Sequence, residues 1–329
     1  MDNNETKFLS VRNITVEYTS GKSVIHAVNG VSFDLERGKT LGLVGETGAG
    51  KTTIAKAIMR ILPDPPARFK GGEICIEGQN LMELPEEEMR KLRGSKVAMI
   101  FQDPMTALNP LMTVGAQIAE AISLHNEGMT QDEALKRAGE MLELVGISAQ
   151  RSIEYPHQFS GGMKQRVVIA IALACDPDLL LADEPTTALD VTIQAQVMHL
   201  IKDLQSKYHS AMVLITHDLG VVAENCDDVA VVYAGQIVEY GSLQDVFKHT
   251  AHPYTEGLFN SLPDLKGKMT RLSCIEGLPP DPANLPEGCA FHPRCPYAQE
   301  SCRSGETQMR EISPGHYCRC ARTWKEATP

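Results

Sequence analysis

The first feature that could do chemistry is the stretch GETGAGKTT at residues 45–53, directly after the apolar run Thr40–Val44. It fits G-x-x-x-x-G-K-[ST], in which glycines let several backbone N–H groups converge on one anion where a helix begins. Lys51 would reach the β- and γ-phosphates of a nucleotide, and the Thr52 hydroxyl would ligate Mg²⁺. A flexible, solvated turn is the alternative, but the strand before and the helical pattern after it favour a phosphate cradle. This phosphate loop comprises Gly45, Glu46, Thr47, Gly48, Ala49, Gly50, Lys51, Thr52 and Thr53.

A second set of polar side chains follows apolar runs that read as buried strands. The stretch LLLADEP (Leu179–Pro185) ends a hydrophobic strand in two carboxylates. Asp183 would hold Mg²⁺ through water, and Glu184 would orient or deprotonate an attacking water. Gln102 could contact the metal and this water, and His217 could contact the γ-phosphate region. A lone Gln or His is more often structural, but the carboxyl ends of parallel strands favour function.

The stretch FSGGMKQR (Phe159–Arg166) offers a second anion site before a helix, through the hydroxyl of Ser160 and the N–H groups of Gly161 and Gly162. One magnesium nucleotide does not need two cradles from one chain. Here the sequence resembles the nucleotide-binding subunits of ABC transporters, whose signature is LSGGQ. The resemblance implies two subunits that face head to tail, with each signature closing over the ATP held by the other subunit's loop.

Further motifs extend this resemblance over roughly residues 8 to 245. TTALD (Thr186–Asp190) is similar to the D-loop of the family, and Tyr18 lies where an aromatic ring stacks on adenine. The hydroxyls and glycines of both cradles are intact. Three positions depart from the commoner residue of the family, with Phe159 for Leu, Met163 for Gln and Thr52 for Ser.

The C-terminal part resembles the ATPase subunits of dipeptide, oligopeptide and nickel importers, through HPYTEGLFNSLP (His252–Pro263) and the cysteine-rich stretch after it. Five of the nine cysteines fall within residues 289–320, where uniform scattering would place about one, so a thiolate metal site is expected. The spacings contain no C-x₂₋₄-C zinc knuckle and match neither common ferredoxin run. Iron–sulfur, zinc and no metal all remain open on spacing.

The resemblance to these importers implies a [4Fe–4S] cluster in this part of the chain. It places the first three ligands at Cys289, Cys295 and Cys302. The family's final pattern, G-H-x-V-x-C, puts Cys320 at the fourth ligand position and Cys318 at the valine position. A cluster there would brace the C-terminal part and its dimer contact, whereas the sequence gives no support for electron transfer.

Composition and charge narrow the location and the partners. The chain has 329 residues, is 43% hydrophobic and carries a net charge of -11, which disfavours binding to nucleic acid and direct docking on anionic lipid. Its longest apolar run, Val167–Cys175, has nine residues, and the N-terminus is polar without a signal-peptide pattern. We therefore expect a peripheral protein at the cytoplasmic face of the cell membrane, held there by partners.

The elements that must position these residues alternate between strands and helices, which predicts an α/β fold with a parallel sheet. The resemblance to ABC transporter subunits implies an ABC-type P-loop NTPase, which has a RecA-like core with an antiparallel β subdomain, a helical subdomain at about 103–160, and a small Cys-rich C-terminal domain. The domain boundaries are predicted as 1–262 and 263–329, the latter called the tail. Helices are predicted over about 50–62 and 113–147, and a hairpin that turns on Ala234-Gly235.

The resemblance implies an ATPase subunit that energises a peptide importer, and Glu184 and His217 are both present for hydrolysis. The expected partners are a second homologous subunit or a second copy, two membrane permease subunits and, indirectly, a substrate-binding protein. The stretch DPMTALNPLMTVG would receive a helix of a membrane subunit. Alternatives are a nickel importer of the same family, a soluble ABC ATPase of DNA repair or translation, and a redox or iron sensor. The sequence does not determine the transported substrate.

Overall fold

The computed structural model describes residues 7–187, 189–261, 275–305 and 307–322. The predicted boundary at Leu262, one residue of the D-loop motif (Ala188) and Cys274 lie outside these ranges. The described residues divide into two compact units. Unit 1 contains those within Met1–Leu9, Leu35–Thr40 and Ile76–Thr216, and unit 2 contains those within Ser10–Asp34, Leu41–Cys75 and His217–Pro329.

The described residues form strands and α-helices whose bounds follow in chain order. The strands are β1 (Lys7–Ser20), β2 (Ser23–Glu36), β3 (Thr40–Val44), β4 (Ala67–Ile76), β5 (Gln79–Asn80), β6 (Val97–Ile100), β7 (Leu179–Asp183), β8 (Ala211–Ile215), β9 (Asp228–Tyr233), β10 (Gln236–Ser242), β11 (Arg310–Ser313) and β12 (His316–Cys318). The helices are α1 (Lys51–Ile58), α2 (Glu86–Leu92), α3 (Pro104–Ala107), α4 (Val114–His125), α5 (Gln131–Leu144), α6 (Gly161–Leu173), α7 (Val191–Tyr208), α8 (Leu219–Asn225), α9 (Leu243–Lys248), α10 (Pro253–Asn260) and α11 (Ser301–Ser304).

In unit 1, three parallel strands lie in the order β6, β7, β8. The register pairs Val97 with Leu179 and Leu179 with Ala211, and it continues to Asp183, which pairs with Ile215. Every residue of these three strands is buried. Continuous burial is typical of parallel strands covered on both faces, and it makes the strand ends the places where polar groups can emerge.

The helical stretch predicted at about residues 113–147 is two helices in the structure. Helix α4 ends at His125, and α5 begins after Thr130, whose hydroxyl and the Glu133 carboxylate form a capping box. Gly128 lies between them with φ +89, a conformation that glycine adopts without steric cost. Helices α3, α4 and α5 and two 3₁₀ turns occupy the predicted helical subdomain.

In unit 2, strand β3 pairs in parallel with β9 through residues Leu41–Val44, and β9 pairs antiparallel with β10. The predicted hairpin turn at Ala234 and Gly235 is confirmed, since both residues have positive φ as a two-residue type I′ turn requires. Strand β12 pairs with β10, and β11 with β12. The described tail therefore adds two strands beside the hairpin.

The remaining strands of unit 2 lie in the order β2, β1, β4. Helix α1 begins at Lys51 as predicted but ends at Ile58, earlier than expected, because Arg60 adopts a left-handed conformation with φ 50. None of the helices in the described ranges combines the length and the apolar character needed to cross a membrane.

Candidate functional site

The backbone of the phosphate loop requires glycine at both ends. Gly45 has φ +150, and a Cβ there would lie 2.1 Å from the Val232 carbonyl oxygen. Gly50 has φ +103, and its Cβ would lie 2.3 Å from the Ala27 carbonyl oxygen. The loop is thus seated directly on the backbones of β9 and β2, which fixes its curvature between β3 and α1.

Lys51 lies at the centre of this loop and is 6% exposed. Its Nζ donates to the carbonyl oxygens of Gly45 at 2.7 Å and Glu46 at 2.9 Å. These contacts hold the ammonium group against the loop backbone, where a polyphosphate would find a cation beside converging N–H groups. The loop therefore holds a cation at the place where the sequence predicts that a polyphosphate binds.

Tyr18, predicted to stack on adenine, is half-buried next to the same loop. Its hydroxyl lies 3.4 Å from the Thr53 hydroxyl, within hydrogen-bond distance. His217 belongs to the same unit and is exposed. It follows the end of β8 by two residues and precedes Asp218, whose carboxylate caps α8 by accepting the N–H groups of Gly220 and Val221.

In unit 1, Glu184 directly follows β7 in a left-handed conformation with φ 46. Its N–H donates to the Ile215 carbonyl at 2.8 Å, and its Oε2 accepts from Gln102 Nε2 at 2.8 Å and from the Thr187 hydroxyl at 2.9 Å. Such a conformation costs a non-glycine residue about 1–3 kcal/mol, and it persists where surrounding contacts over-determine it. Gln102 and Glu184, both predicted to act on water, are thus brought together.

Asp183 and Glu184 differ sharply in their surroundings although they are neighbours in the chain. Asp183 is the last residue of β7 and only 2% exposed. Glu184 lies at the open end of the strand. A buried carboxylate beside a more open one suits the predicted division between a metal ligand and a group that handles water.

Ser160 is the N-cap residue of α6, and its hydroxyl accepts the Met163 N–H at 3.4 Å. A Cβ at Gly161 would meet nothing within 4 Å, so the start of this helix is open to an approaching anion. Phe159 is buried under the Arg151 guanidinium, 4.5 Å from the ring centroid. This contact holds Phe159 in place, and the two residues that follow it, Ser160 and Gly161, are exposed.

The four predicted cluster ligands line one cavity, which Cys289, Cys295, Cys302 and Cys320 share. The Cys289 N–H donates to the Cys302 carbonyl at 2.9 Å, and burial raises the pKa of the Cys289 thiol to about 11. Cys318 is fully buried in β12 and does not line the cavity. In the part of the chain that the structure describes, no group of three or more His, Cys, Asp or Glu is placed to hold a metal ion.

Two side-chain contacts that sequence reasoning did not predict support the predicted site. Thr187 donates to Glu184, and the position of a threonine three residues after the acid was the available signal. Arg294, in the tail, donates to Glu46 of the phosphate loop through both terminal nitrogens. No motif marks this arginine, and only the fold shows that the tail reaches the loop.

Known proteins match both parts of the chain. A family described as ABC transporter matches residues 28–187, and one described as oligopeptide/dipeptide transporter, C-terminal region, matches residues 238–302. A dipeptide transport ATP-binding protein of Lactococcus lactis is 50% identical over 322 residues, which are 97% of this chain and 91% of that protein. An oligopeptide transport ATP-binding protein of Bacillus subtilis is 50% identical over 315 residues, 95% of this chain and 88% of that protein.

A solved structure also resembles the chain. It is the dimeric structure of an ATP-binding cassette in a post-hydrolysis state, bound to ADP and Pi. It matches with a TM-score of 0.65 and 29% identity, and covers 71% of this chain and 98% of that one.

Proposed function

Since the chain belongs to the ABC transporter family, among the ATP-binding proteins of dipeptide and oligopeptide transporters, we propose that it binds and hydrolyses ATP to drive peptide import. The predicted ABC ATPase fold is confirmed by the matching family and the structural neighbour. The observation that carries the proposal is the geometry of the phosphate loop. Its Gly45 and Glu46 carbonyl oxygens accept hydrogen bonds from the Lys51 ammonium group.

The residues proposed for nucleotide and metal fit their ligands chemically. The loop N–H groups and Lys51 suit the phosphates, and Tyr18 beside Thr53 suits the base. A hydroxyl, an amide and a carboxylate suit Mg²⁺, a hard cation that prefers oxygen; these are Thr52, Gln102 and Asp183. The bound ion would neutralise charge on the phosphates.

Glu184 is the proposed base, and its carboxylate is oriented before any substrate arrives. Gln102 and Thr187 both donate to Oε2, and these two hydrogen bonds fix the direction of the carboxylate that would accept a proton from water. His217 is proposed to contact the γ-phosphate.

The test is the Glu184→Gln variant in the assembled transporter. Glutamine keeps the size of the side chain but cannot take the proton, so we expect unchanged ATP binding, loss of most ATP hydrolysis and accumulation of a closed dimer. Equilibrium nucleotide binding, phosphate release and crosslinking of the two subunits measure the three effects.

The matched control is Glu87→Gln, which alters an exposed glutamate of α2 and should behave as the wild type. Turnover of the Glu184→Gln variant near the wild-type rate would show that Glu184 is not the catalytic carboxylate.

The proposed assembly contains two such chains or one chain with a homologue, joined head to tail so that Ser160, Gly161 and Gly162 face the partner's ATP. The dimeric cassette with ADP and Pi supports an assembly of two such subunits. Two permease subunits would hold the chain at the cytoplasmic face of the membrane, and a substrate-binding protein would deliver the cargo.

The proposed contact with the membrane subunits lies in the helical subdomain. Phe101, Met105 and Leu111 are 43%, 60% and 85% exposed in or next to the predicted docking stretch. Three large apolar side chains exposed within eleven residues of the chain support an interface there. The two named relatives, one for dipeptides and one for oligopeptides, are equally identical to this chain, so overall similarity does not distinguish these cargoes.

We further propose that the tail from about residue 263 is a small domain holding a [4Fe–4S] cluster. Its support is the shared cavity of Cys289, Cys295, Cys302 and Cys320, together with the exclusion of Cys318 from it. Four thiolates are the usual ligand set of such a cluster. Bound there, the cluster would crosslink the segments that carry these cysteines.

A further inference from the structure

Arg294 of the tail reaches the phosphate loop and contacts its second residue. We infer that Arg294 is a positioning residue for ATP binding, which holds Glu46 in place and neutralises its carboxylate beside the incoming phosphates. The inference rests on the proposed function, since it assigns a role in binding the nucleotide. It adds a residue outside the nucleotide-binding motifs to the machinery of the ATP site.

The contact between the two side chains is bidentate. Arg294 Nη1 donates to Glu46 Oε2 at 2.9 Å, and Nη2 donates to Oε1 at 3.1 Å. The Arg294 side chain is 6% exposed and that of Glu46 is 25% exposed. A fork of this kind fixes the direction as well as the charge of the carboxylate, which an exposed ion pair does not.

The guanidinium group is itself held by the fold. Its Nε donates to the Glu276 carbonyl at 3.1 Å, and Nη1 also donates to the Tyr233 hydroxyl at 3.3 Å. Burial lowers the pKa of Arg294, but the hydrogen bonds to Glu46 and Tyr233 outweigh it and raise the pKa. Each of the three guanidinium nitrogens therefore has a hydrogen-bond partner. These bonds hold Arg294 in the orientation in which it contacts Glu46 of the loop.

Glu46 is held at its backbone as well. Its N–H donates to the Tyr254 hydroxyl at 2.8 Å, and its carbonyl accepts from Lys51 at 2.9 Å. Tyr254 is fully buried and packs against Tyr233 and Phe291, with ring centroids 4.5 and 5.4 Å away. Arg294 thus acts on the residue that also positions the ammonium group of Lys51.

The charge of Glu46 explains why neutralisation matters. A carboxylate in a loop that must bind a polyphosphate repels the ligand, and partial burial strengthens that repulsion. Arg294 cancels this charge at hydrogen-bond distance. Removing Arg294 would leave a partly buried, unpaired carboxylate beside the phosphates and free it to turn towards them.

A second segment of the tail lines a cavity beside the loop. Pro279, Pro280 and Pro282 line one cavity together with loop residues from Glu46 to Ala49. The Pro282 carbonyl accepts the His26 N–H of β2 at 2.9 Å. The tail therefore borders the loop through this cavity and bonds to its neighbour β2, while Arg294 brings a charged group to the loop.

The experiment is a double-mutant cycle on the full chain, with a fluorescent ATP analogue and Mg²⁺ as the probe. We expect Arg294→Gln to weaken binding about tenfold. Glu46→Gln is the reference variant of the cycle, because it removes the charge that Arg294 balances. The double variant should return to within about threefold of Glu46→Gln. Arg303→Gln, which removes an exposed arginine of the same tail, should bind as the wild type does.

The opposite results are equally specific. Wild-type affinity in a folded Arg294→Gln variant, or a double variant as weak as Arg294→Gln, would overturn the inference. If Arg294→Gln alone does not fold, the double variant decides, because it lacks the unpaired charge. If the double variant binds ATP within about threefold of Glu46→Gln, the inference is supported. If it binds about tenfold more weakly than Glu46→Gln, the inference is overturned. A wild-type chain that binds no ATP would overturn the proposed function itself, and the inference with it.

Discussion

At the scale of single residues, the phosphate loop depends on how closely two backbones approach. Gly45 lies so near β9 that no side chain fits between them, whereas Gly48 points into open space with φ +82. Both glycines have the left-handed conformation that other residues adopt only with strain. An alanine at either position would strain the backbone, but only at Gly45 would it also overlap a neighbouring atom. Comparing the two substitutions therefore distinguishes steric overlap from backbone strain.

We predict that Gly45→Ala disrupts ATP binding at least tenfold, because its Cβ would overlap the Val232 carbonyl oxygen at 2.1 Å. Gly48→Ala is the control, since it meets only a strain of about 1–2 kcal/mol and no neighbouring atom within 4 Å. Equilibrium binding of an ATP analogue to the two folded variants measures the difference. Equal affinities would contradict this account of the loop.

The single residues of the nucleotide site were the most predictable part of the chain. Motif spacing alone predicted the phosphate loop, and the acidic pair after a hydrophobic strand predicted Glu184; the roles of both stay predictions, while the structure gives their positions. The sequence could not show that Gln102 and Thr187 donate to the same oxygen of Glu184, because that contact depends on distant parts of the chain. Arg294 was invisible for the same reason.

At the scale of elements, Glu239 joins three segments that are far apart in sequence. This residue of β10 is fully buried. Its Oε1 accepts from the Ala251 N–H and from His316 Nε2, at 2.7 and 2.9 Å, and Oε2 accepts the His252 N–H at 2.9 Å. One carboxylate therefore fixes the start of α10 and tail strand β12 to the hairpin.

We predict that Glu239→Gln destabilises the protein by on the order of 3 kcal/mol, because an amide turns a donor towards groups that need an acceptor. The thermal melting midpoint should fall by several degrees. Glu300→Gln is the control, since that side chain is 87% exposed and its loss should leave the midpoint unchanged. An unchanged midpoint in Glu239→Gln would show that this junction is dispensable.

Elements whose own residues carry a conformational signal were easier to predict than strands that form only by pairing with another strand. The turn at Ala234 and Gly235 carries its own conformational signature, and the hairpin follows from it. Strands β11 and β12 have four and three residues, too short for any periodic pattern. They form because the edge of β10 is open to pairing with β12, and β12 then pairs with β11. The sequence of the tail alone does not show that this edge is nearby.

At the scale of the whole molecule, unit 2 combines the phosphate loop with the described tail. The cysteine cavity, the aromatic cluster around Tyr254 and the contact between Arg294 and Glu46 lie in the same unit. Arg294 also directly precedes Cys295 in the chain. A change at the cysteines would therefore displace the arginine that serves the loop.

Anaerobically purified protein should be brown, with broad absorbance near ~400 nm from the proposed cluster. We predict that Cys302→Ser loses this absorbance and most of the iron, and that ATP binding weakens because Arg294 is no longer held. Cys175→Ser, at a half-buried thiol of unit 1, is the control and should retain both. Iron content, absorbance and nucleotide affinity are the measurements.

The same substitution tests whether the cysteine site affects ATP binding through Arg294. In the background of Arg294→Gln with Glu46→Gln, Cys302→Ser should have little further effect on ATP affinity. Colourless wild-type protein with stoichiometric zinc would reject the iron–sulfur assignment, and full affinity in Cys302→Ser would reject the coupling.

The contact between Arg294 and Glu46 has an evolutionary consequence. A descendant that lost the C-terminal extension would inherit an acid in its phosphate loop with nothing to balance it. Selection would then replace the acid with a neutral residue, so acids at this position should be common in long homologues and rare in short ones. The residue at position 46 and the C-terminal extension that carries Arg294 should therefore change together in evolution.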